Sequence, residues 1–123
     1  MEGVAMSSNS AGPSTGSQAS GSERRTVPRY SLIATAEVIE PVSEVRISGR
    51  ISEISRKGVY VDILNPLPRG TRVTIRISRD QGTFVATGKV IYVQEGMGMG
   101  VAFLDVAEDQ KNLLISWLAE LTA

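Results

Sequence analysis

The chain has 123 residues, with 13 basic and 13 acidic side chains and neither cysteine nor histidine. This length allows one domain of ordinary size, and a formal net charge of zero argues against a nucleic-acid coat or a polybasic membrane anchor. Without Cys or His, the sequence cannot build disulfides, zinc fingers, haem sites or histidine-dependent triads. No run approaches the roughly 18 apolar residues of a membrane span, and the N-terminus lacks a secretory signal, so we expect a soluble protein of the cytoplasm.

Residues 1–22 differ in composition from the rest of the chain. They contain seven Ser and four Gly, and Glu2 is their one charged side chain. Such a segment cannot bury enough apolar surface to offset the entropy of ordering it. We therefore predict a flexible tail over residues 1–22 and one folded domain over residues 23–123.

The folded part alternates apolar and polar residues with the period of two that is typical of half-buried strands. Turns rich in Pro and Gly separate the alternating segments. The pattern predicts six strands, Leu32–Val38, Val45–Ile51, Val59–Ile63, Val73–Ile77, Phe84–Val93 and Met99–Leu104.

After the sixth predicted strand the period changes to that of a helix. Asp105 and Glu108 have the spacing of a capping box, which predicts Asp105 as the N-cap. The apolar face of the helix is formed by Leu113, Leu114, Trp117, Leu118 and Leu121. Many short strands followed by one amphipathic helix predict a mainly β fold, a small antiparallel barrel with the helix over an open end.

A basic segment lies where the tail meets the first strand. Arg24, Arg25 and Arg29 fall within six residues that contain no acid, and Pro28 disfavours a helix there. An extended arm of this kind can fold over an anionic ligand, because a guanidinium fork binds phosphate with two hydrogen bonds. A basic edge that contacts only solvent is the alternative.

The turn between the second and third strands is the second candidate site. Regular alternation ends just before it, because Ile54 is out of step with Ile51. A turn that contains Ser55 and Gly58 can present a hydroxyl and backbone N–H groups to a phosphate, and glycine permits a positive φ or the close approach of a ligand. An ordinary hairpin turn is the alternative.

In order along the chain, these segments resemble the PilZ domain family, whose pattern is RxxxR followed by [D/N]xSxxG. The residues that match are Arg25, Arg29, Ser55 and Gly58. Glu53 stands where the family usually has Asp or Asn. The 67–70 turn and the 100–103 strand are also similar, so the resemblance covers residues 24 to about 121.

The resemblance implies a six-stranded antiparallel barrel and a bacterial, cytoplasmic receptor for cyclic di-GMP. Arg25 and Arg29 would then bind phosphates and the O6/N7 edge of guanine, and Arg24 would stack on a guanine face. Ligand binding would order the arm over the barrel and change the contact with an unidentified partner protein.

The same resemblance assigns roles to the turn. Glu53 would accept hydrogen bonds from guanine N1–H or N2–H, and Ser55 and Gly58 would close over the ligand from the barrel face. One extra methylene in Glu, compared with Asp, displaces the carboxylate by about one bond length, and hydrogen bonds weaken steeply with poor geometry. We therefore expect binding to survive with a weakened affinity.

Three other functions are alternatives to the receptor, and the sequence favours them unequally. A PilZ-like adaptor that binds proteins but no nucleotide is compatible with Glu53. A barrel that binds single-stranded nucleic acid would have few aromatic residues and no net positive charge, so we expect no DNA, RNA or membrane partner. An enzyme is not expected, because the chain has no histidine to activate Ser55. For the same reason it cannot form the cluster of His and carboxylate ligands that a metal-dependent phosphodiesterase would need. No cofactor is predicted.

Three further features are given structural interpretations. Trp117 is expected to pack in the core under the helix. Met97 and Met99 are expected to fill gaps in the barrel. A solvated outer face is predicted for three arginines in and beside the fourth strand, Arg72, Arg76 and Arg79.

Overall fold

The computed structural model describes residues 27–80 and 82–122, so the tail predicted over residues 1–22 lies outside the described residues. Within these ranges the chain forms six strands and then one helix. The strands are β1 (Tyr30–Glu40), β2 (Val45–Ile54), β3 (Gly58–Asp62), β4 (Arg72–Arg79), β5 (Gly82–Gln94) and β6 (Gly98–Asp105), and the helix is α1 (Glu108–Thr122).

The six strands of the described residues close into a barrel. Every neighbouring pair is antiparallel, the order is β1-β2-β3-β6-β5-β4, and β4 pairs with β1 to complete the ring. The predicted six-stranded antiparallel barrel with a C-terminal helix is therefore confirmed. Because neighbouring strands run in opposite directions, the start of β1, the β2–β3 and β4–β5 turns and the end of β6 share one end of the barrel. Helix α1 follows β6 at this end.

Alternate residues point into the barrel, as the period of two predicts. In β4, for example, Arg76 is exposed between the buried Ile75 and Ile77, and Arg72 is exposed at the start of the strand, which confirms the outer face predicted for these two arginines. Burying an aliphatic or aromatic side chain contributes about 1.5–3 kcal/mol, so the inward set dominates stability. The side chains exposed by 1% or less are Ala36, Val38, Ile51, Ile54, Val61, Ile75, Ile77, Phe84, Val90, Met99 and Val101.

A β-bulge explains the break in alternation near the end of β2. Ile51 lies opposite Val61 and Glu53 opposite Tyr60, so Ser52 is one extra residue in β2. Ile51 and Ile54 are therefore both buried although they are three positions apart. The bulge leaves Glu53 on the outer face, one residue before Ile54 and the β2–β3 turn.

The helix begins later than the capping-box spacing predicts, and the assignment of Asp105 as N-cap is wrong. Asp105 is the last residue of β6 and lies opposite Thr87, whose hydroxyl donates to the Asp105 carbonyl at 3.3 Å. A hydrogen bond of 2.9 Å from Lys111 N–H to the Ala107 carbonyl starts α1 instead. Strand pairing thus takes precedence over the local capping signal.

The helix covers the barrel through an aromatic contact. Trp117 is 4% exposed and its ring centroid lies 6.2 Å from that of Phe84, which confirms Trp117 as a core residue. The prediction of a solvated outer face is wrong for Arg79. Its side chain is 19% exposed, pairs with Glu120 at 2.8 Å and lies 5.9 Å from the Trp117 ring, so it ties β4 to α1. No helix in residues 27–80 or 82–122 has the length and apolar character needed to cross a membrane.

The two methionines near the start of β6 have different positions. Met99 is fully buried and fills the barrel interior as predicted. Met97 is 65% exposed, so the prediction is wrong for this residue. It lies in the β5–β6 turn, where its backbone is held by hydrogen bonds with Gln94 and Ile63 while its side chain points outward.

Candidate ligand-binding site

A groove of about 260 Å³ lies on the outer surface of the barrel, beside the β2–β3 turn and over β3, β5 and β6. Four of the six residues predicted to bind ligand line it, Arg29, Glu53, Ser55 and Gly58. They come from two segments more than twenty positions apart, which the β1–β2 pairing brings together. The two remaining predicted residues, Arg24 and Arg25, lie outside the described residues.

Arg29 and Glu53 face each other at the mouth of the groove. Arg29 directly precedes β1, Glu53 lies opposite Ser31, and Arg29 Nη1 is 3.4 Å from Glu53 Oε1. The two side chains are 60% and 43% exposed. An exposed ion pair of this kind contributes about 0–1 kcal/mol. The pair therefore orients the guanidinium, which stays available to an anionic ligand that binds it more strongly than Glu53 does.

The β2–β3 turn is held together by its own serine. Ser55 is 6% exposed, and its N–H donates to the Gly58 carbonyl at 2.9 Å. Its hydroxyl oxygen accepts hydrogen bonds from the N–H groups of Lys57 and Gly58 at 3.1 and 3.2 Å. The serine predicted to contact the ligand thus organises the turn in this structure.

Gly58 is required by the close approach of β6. A Cβ added to Gly58 would lie 2.3 Å from the Val101 carbonyl oxygen, a distance that real side chains do not show. Gly58 does not adopt a positive φ; within the described residues, the glycines that do are Gly70 and Gly96. The positive φ that the sequence suggested for Gly58 is therefore wrong, and the neighbour that comes close is a strand of the barrel.

Lys57 also lines the groove, and the sequence interpretation did not include it among the ligand-binding residues. Its backbone carbonyl accepts a hydrogen bond of 2.8 Å from Phe103 N–H, which fixes the turn against β6. Together with Arg29 it adds a second basic side chain to the rim. The sequence feature that could have identified Lys57 is its position between Ser55 and Gly58.

Two tyrosines complete the groove, and no sequence pattern pointed to them. Tyr60 of β3 and Tyr92 of β5 lie opposite Gly100 of β6 from either side. The Tyr60 hydroxyl donates to Gln94 Oε1. Burial raises the pKa of the Tyr60 phenol above its ordinary value, and Tyr92 and Asp62 add to the rise. Tyr60 therefore stays neutral and remains a hydrogen-bond donor at physiological pH.

The described residues thus form a closed barrel with an arginine before the first strand and a Ser–Gly turn after the second, and both line one groove. The family model described as PilZ domain matches residues 23–120. The chain therefore belongs to the PilZ domain family, as the two sequence motifs indicated.

Several solved structures are similar to the chain. The PilZ domain of CeSA from a cellulose-synthesizing bacterium is 21% identical, with a TM-score of 0.63 over 78% of this chain and 99% of that one. The PilZ domain of YcgR from Escherichia coli with c-di-GMP is 17% identical, with a TM-score of 0.68 over 81% and 92%. MotI/DgrA of Bacillus subtilis, an inhibitor of motility, is 15% identical, with a TM-score of 0.67 over 80% of this chain and 51% of that one. The TM-scores show a shared fold, and at these low identities the likeness shows the fold alone. No curated protein shows a significant match to the chain.

Proposed function

We propose that the protein is a receptor for cyclic di-GMP that binds the dinucleotide in this groove and carries out no chemistry of its own. The proposal rests on the observation that one groove is lined by Arg29, Glu53, Ser55 and Gly58. These residues belong to both motifs of the family to which the chain belongs. The PilZ domain of YcgR, which has the same fold, has been solved with this ligand.

The chemistry of the groove suits a guanine dinucleotide. The Arg29 guanidinium is accessible and can bind a phosphate, or O6 and N7 of guanine, with two parallel hydrogen bonds. Lys57 adds a positive charge on the same rim. In this proposal the Glu53 carboxylate is the acceptor for guanine N–H groups, and Arg24 and Arg25 add two further guanidinium groups for the ligand.

We further propose that the ligand acts as a bridge between the arm and the barrel. Contacts of Arg24, Arg25 and Arg29 with one bound molecule would fix the arm over the groove. The surface presented to a partner protein would then differ between the free and the bound receptor. The setting proposed for this signalling is the bacterial cytoplasm.

The purified chain should release saturable heat when cyclic di-GMP is added in an isothermal titration calorimetry experiment. GTP at the same concentration is the matched control, because it carries guanine and phosphates without the cyclic dinucleotide. Heat with cyclic di-GMP alone supports the receptor. No heat up to high micromolar ligand contradicts it and favours the adaptor that binds no nucleotide.

The Glu53→Ala variant should bind cyclic di-GMP about ten- to a hundredfold more weakly, because a charged hydrogen bond contributes about 1.5–3 kcal/mol. Loss of the ion pair with Arg29 acts in the opposite direction, since it frees the guanidinium. That exposed pair contributes only about 0–1 kcal/mol, so loss of the acceptor dominates. Titration calorimetry of Glu53→Ala beside Glu53→Gln, which keeps an acceptor oxygen and should bind more tightly than the alanine variant, measures the difference. Unchanged affinity in Glu53→Ala would mean that the carboxylate does not contact the ligand.

A further inference from the structure

Tyr60 and Tyr92 form a flat aromatic surface in the groove, which we call the aromatic shelf. Their ring centroids are 6.1 Å apart and their planes differ by 29°. Two glycines of β6 leave room for the rings. A Cβ on Gly100 would lie 2.2 Å from Cε1 of Tyr92, and a Cβ on Gly98 would lie 2.6 Å from the Tyr60 hydroxyl. The rings therefore lie close against the outer surface of β6.

A bulge in β5 enlarges this apolar surface. Val90 lies opposite Val101 and Tyr92 opposite Gly100, so Ile91 is an extra residue. Ile91 and Tyr92 are consequently both on the outer face, 48% and 39% exposed. Both line the groove. Regular alternation would have pointed one of the two side chains into the barrel.

The shelf and the ligand-binding residues belong to one continuous groove. Gly58 and Tyr60 are two positions apart in β3, which places them about 7 Å apart along the strand. The polar end of the groove, with Arg29 and Glu53, thus continues directly into an aromatic wall. Such a combination fits a molecule that carries a charged group and a flat ring a few ångströms apart.

We propose that the aromatic shelf is a base-stacking subsite, on which one guanine of the dinucleotide lies against Tyr92 while Arg29 binds a phosphate. This inference rests on the proposed function and adds a contact that neither sequence motif includes. The hydrogen bond from Tyr60 to Gln94 holds the Tyr60 ring in place beside Tyr92. The exposed Tyr92 ring provides the stacking surface, because every purine presents an aromatic face.

Calorimetric titration of cyclic di-GMP into Tyr92→Leu and Tyr92→Phe tests the subsite. Tyr92→Leu keeps an apolar side chain without an aromatic ring and should bind roughly tenfold more weakly, the usual effect of losing one stacked base. Tyr92→Phe keeps the ring and should bind like the wild type. Ile115→Ala is the control, since Ile115 is 62% exposed on α1 and does not line the groove. Thermal unfolding of each variant separates loss of fold from loss of binding.

A second readout reports the contact itself. Proton NMR of the wild-type complex should show nuclear Overhauser contacts between guanine H8 and the Tyr92 ring, which a purely structural tyrosine would not give. If the wild type binds and Tyr92→Leu binds equally well, the subsite is wrong and the receptor stands. If Tyr92→Phe is as weak as Tyr92→Leu, the hydroxyl rather than the ring matters and stacking is wrong. If the wild type does not bind at all, the receptor and the subsite both fail.

Discussion

We expect Arg29→Ala to weaken the binding of cyclic di-GMP by about a hundredfold or more. A guanidinium that binds a phosphate or guanine edge makes two charged hydrogen bonds, each contributing about 1.5–3 kcal/mol. The ion pair with Glu53 that is lost at the same time is exposed and contributes about 0–1 kcal/mol, so the fold is not affected. Titration calorimetry measures the affinity and thermal unfolding confirms the fold.

Arg72→Ala is the matched control for this experiment. Arg72 is an exposed arginine of the same barrel, at the start of β4, and it does not line the groove. Removing it changes the net charge by the same amount, so it reports the general electrostatic contribution. Equal losses in the two variants would mean that binding depends on overall charge and not on the groove.

Phe84→Ala should lower the free energy of unfolding by about 3–5 kcal/mol, the usual cost of removing a buried phenyl ring. Phe84 is fully buried, and its ring centroid lies 5.2 Å from that of Phe103 and 6.2 Å from that of Trp117. The substitution leaves a cavity and removes the surface on which α1 packs. A domain of this size is stable by about 5–15 kcal/mol, so the loss is a large fraction of the total.

Urea unfolding followed by circular dichroism measures this loss as a lower transition midpoint. Ile115→Ala, which removes an exposed aliphatic side chain from α1, should change stability by less than about 0.5 kcal/mol. A loss below about 1 kcal/mol in Phe84→Ala would contradict the packing of barrel and helix described above.

The period of two was sufficient to predict the strands, because each strand buries one face in the barrel. The alternation also breaks visibly between Ile51 and Ile54. The sequence does not identify Ser52 as the extra residue, because a bulge depends on the register of the neighbouring strand. The start of α1 was misplaced for a related reason. The local signal at Asp105 is real, but pairing with Thr87 keeps that residue in β6.

The candidate site was predicted as far as its residues form short motifs. Ser55 and Gly58 are three positions apart in one turn and could be found in the sequence. Tyr60 and Tyr92 are 32 positions apart in strands that do not pair with each other, and they meet only across Gly100 of β6. Arg79 was misjudged in the same way, because its partner Glu120 lies on an element that packs against the barrel only in three dimensions.

The hydrogen bonds of Ser55 have a consequence for the thermodynamics of recognition. Because the hydroxyl accepts from the N–H groups of Lys57 and Gly58, the chain's own hydrogen bonds hold the turn in a defined shape. The conformational entropy of these residues is lost during folding and does not reduce the affinity for a ligand. In the proposed receptor, preorganisation of this kind would let Ser55 favour binding without touching the bound molecule.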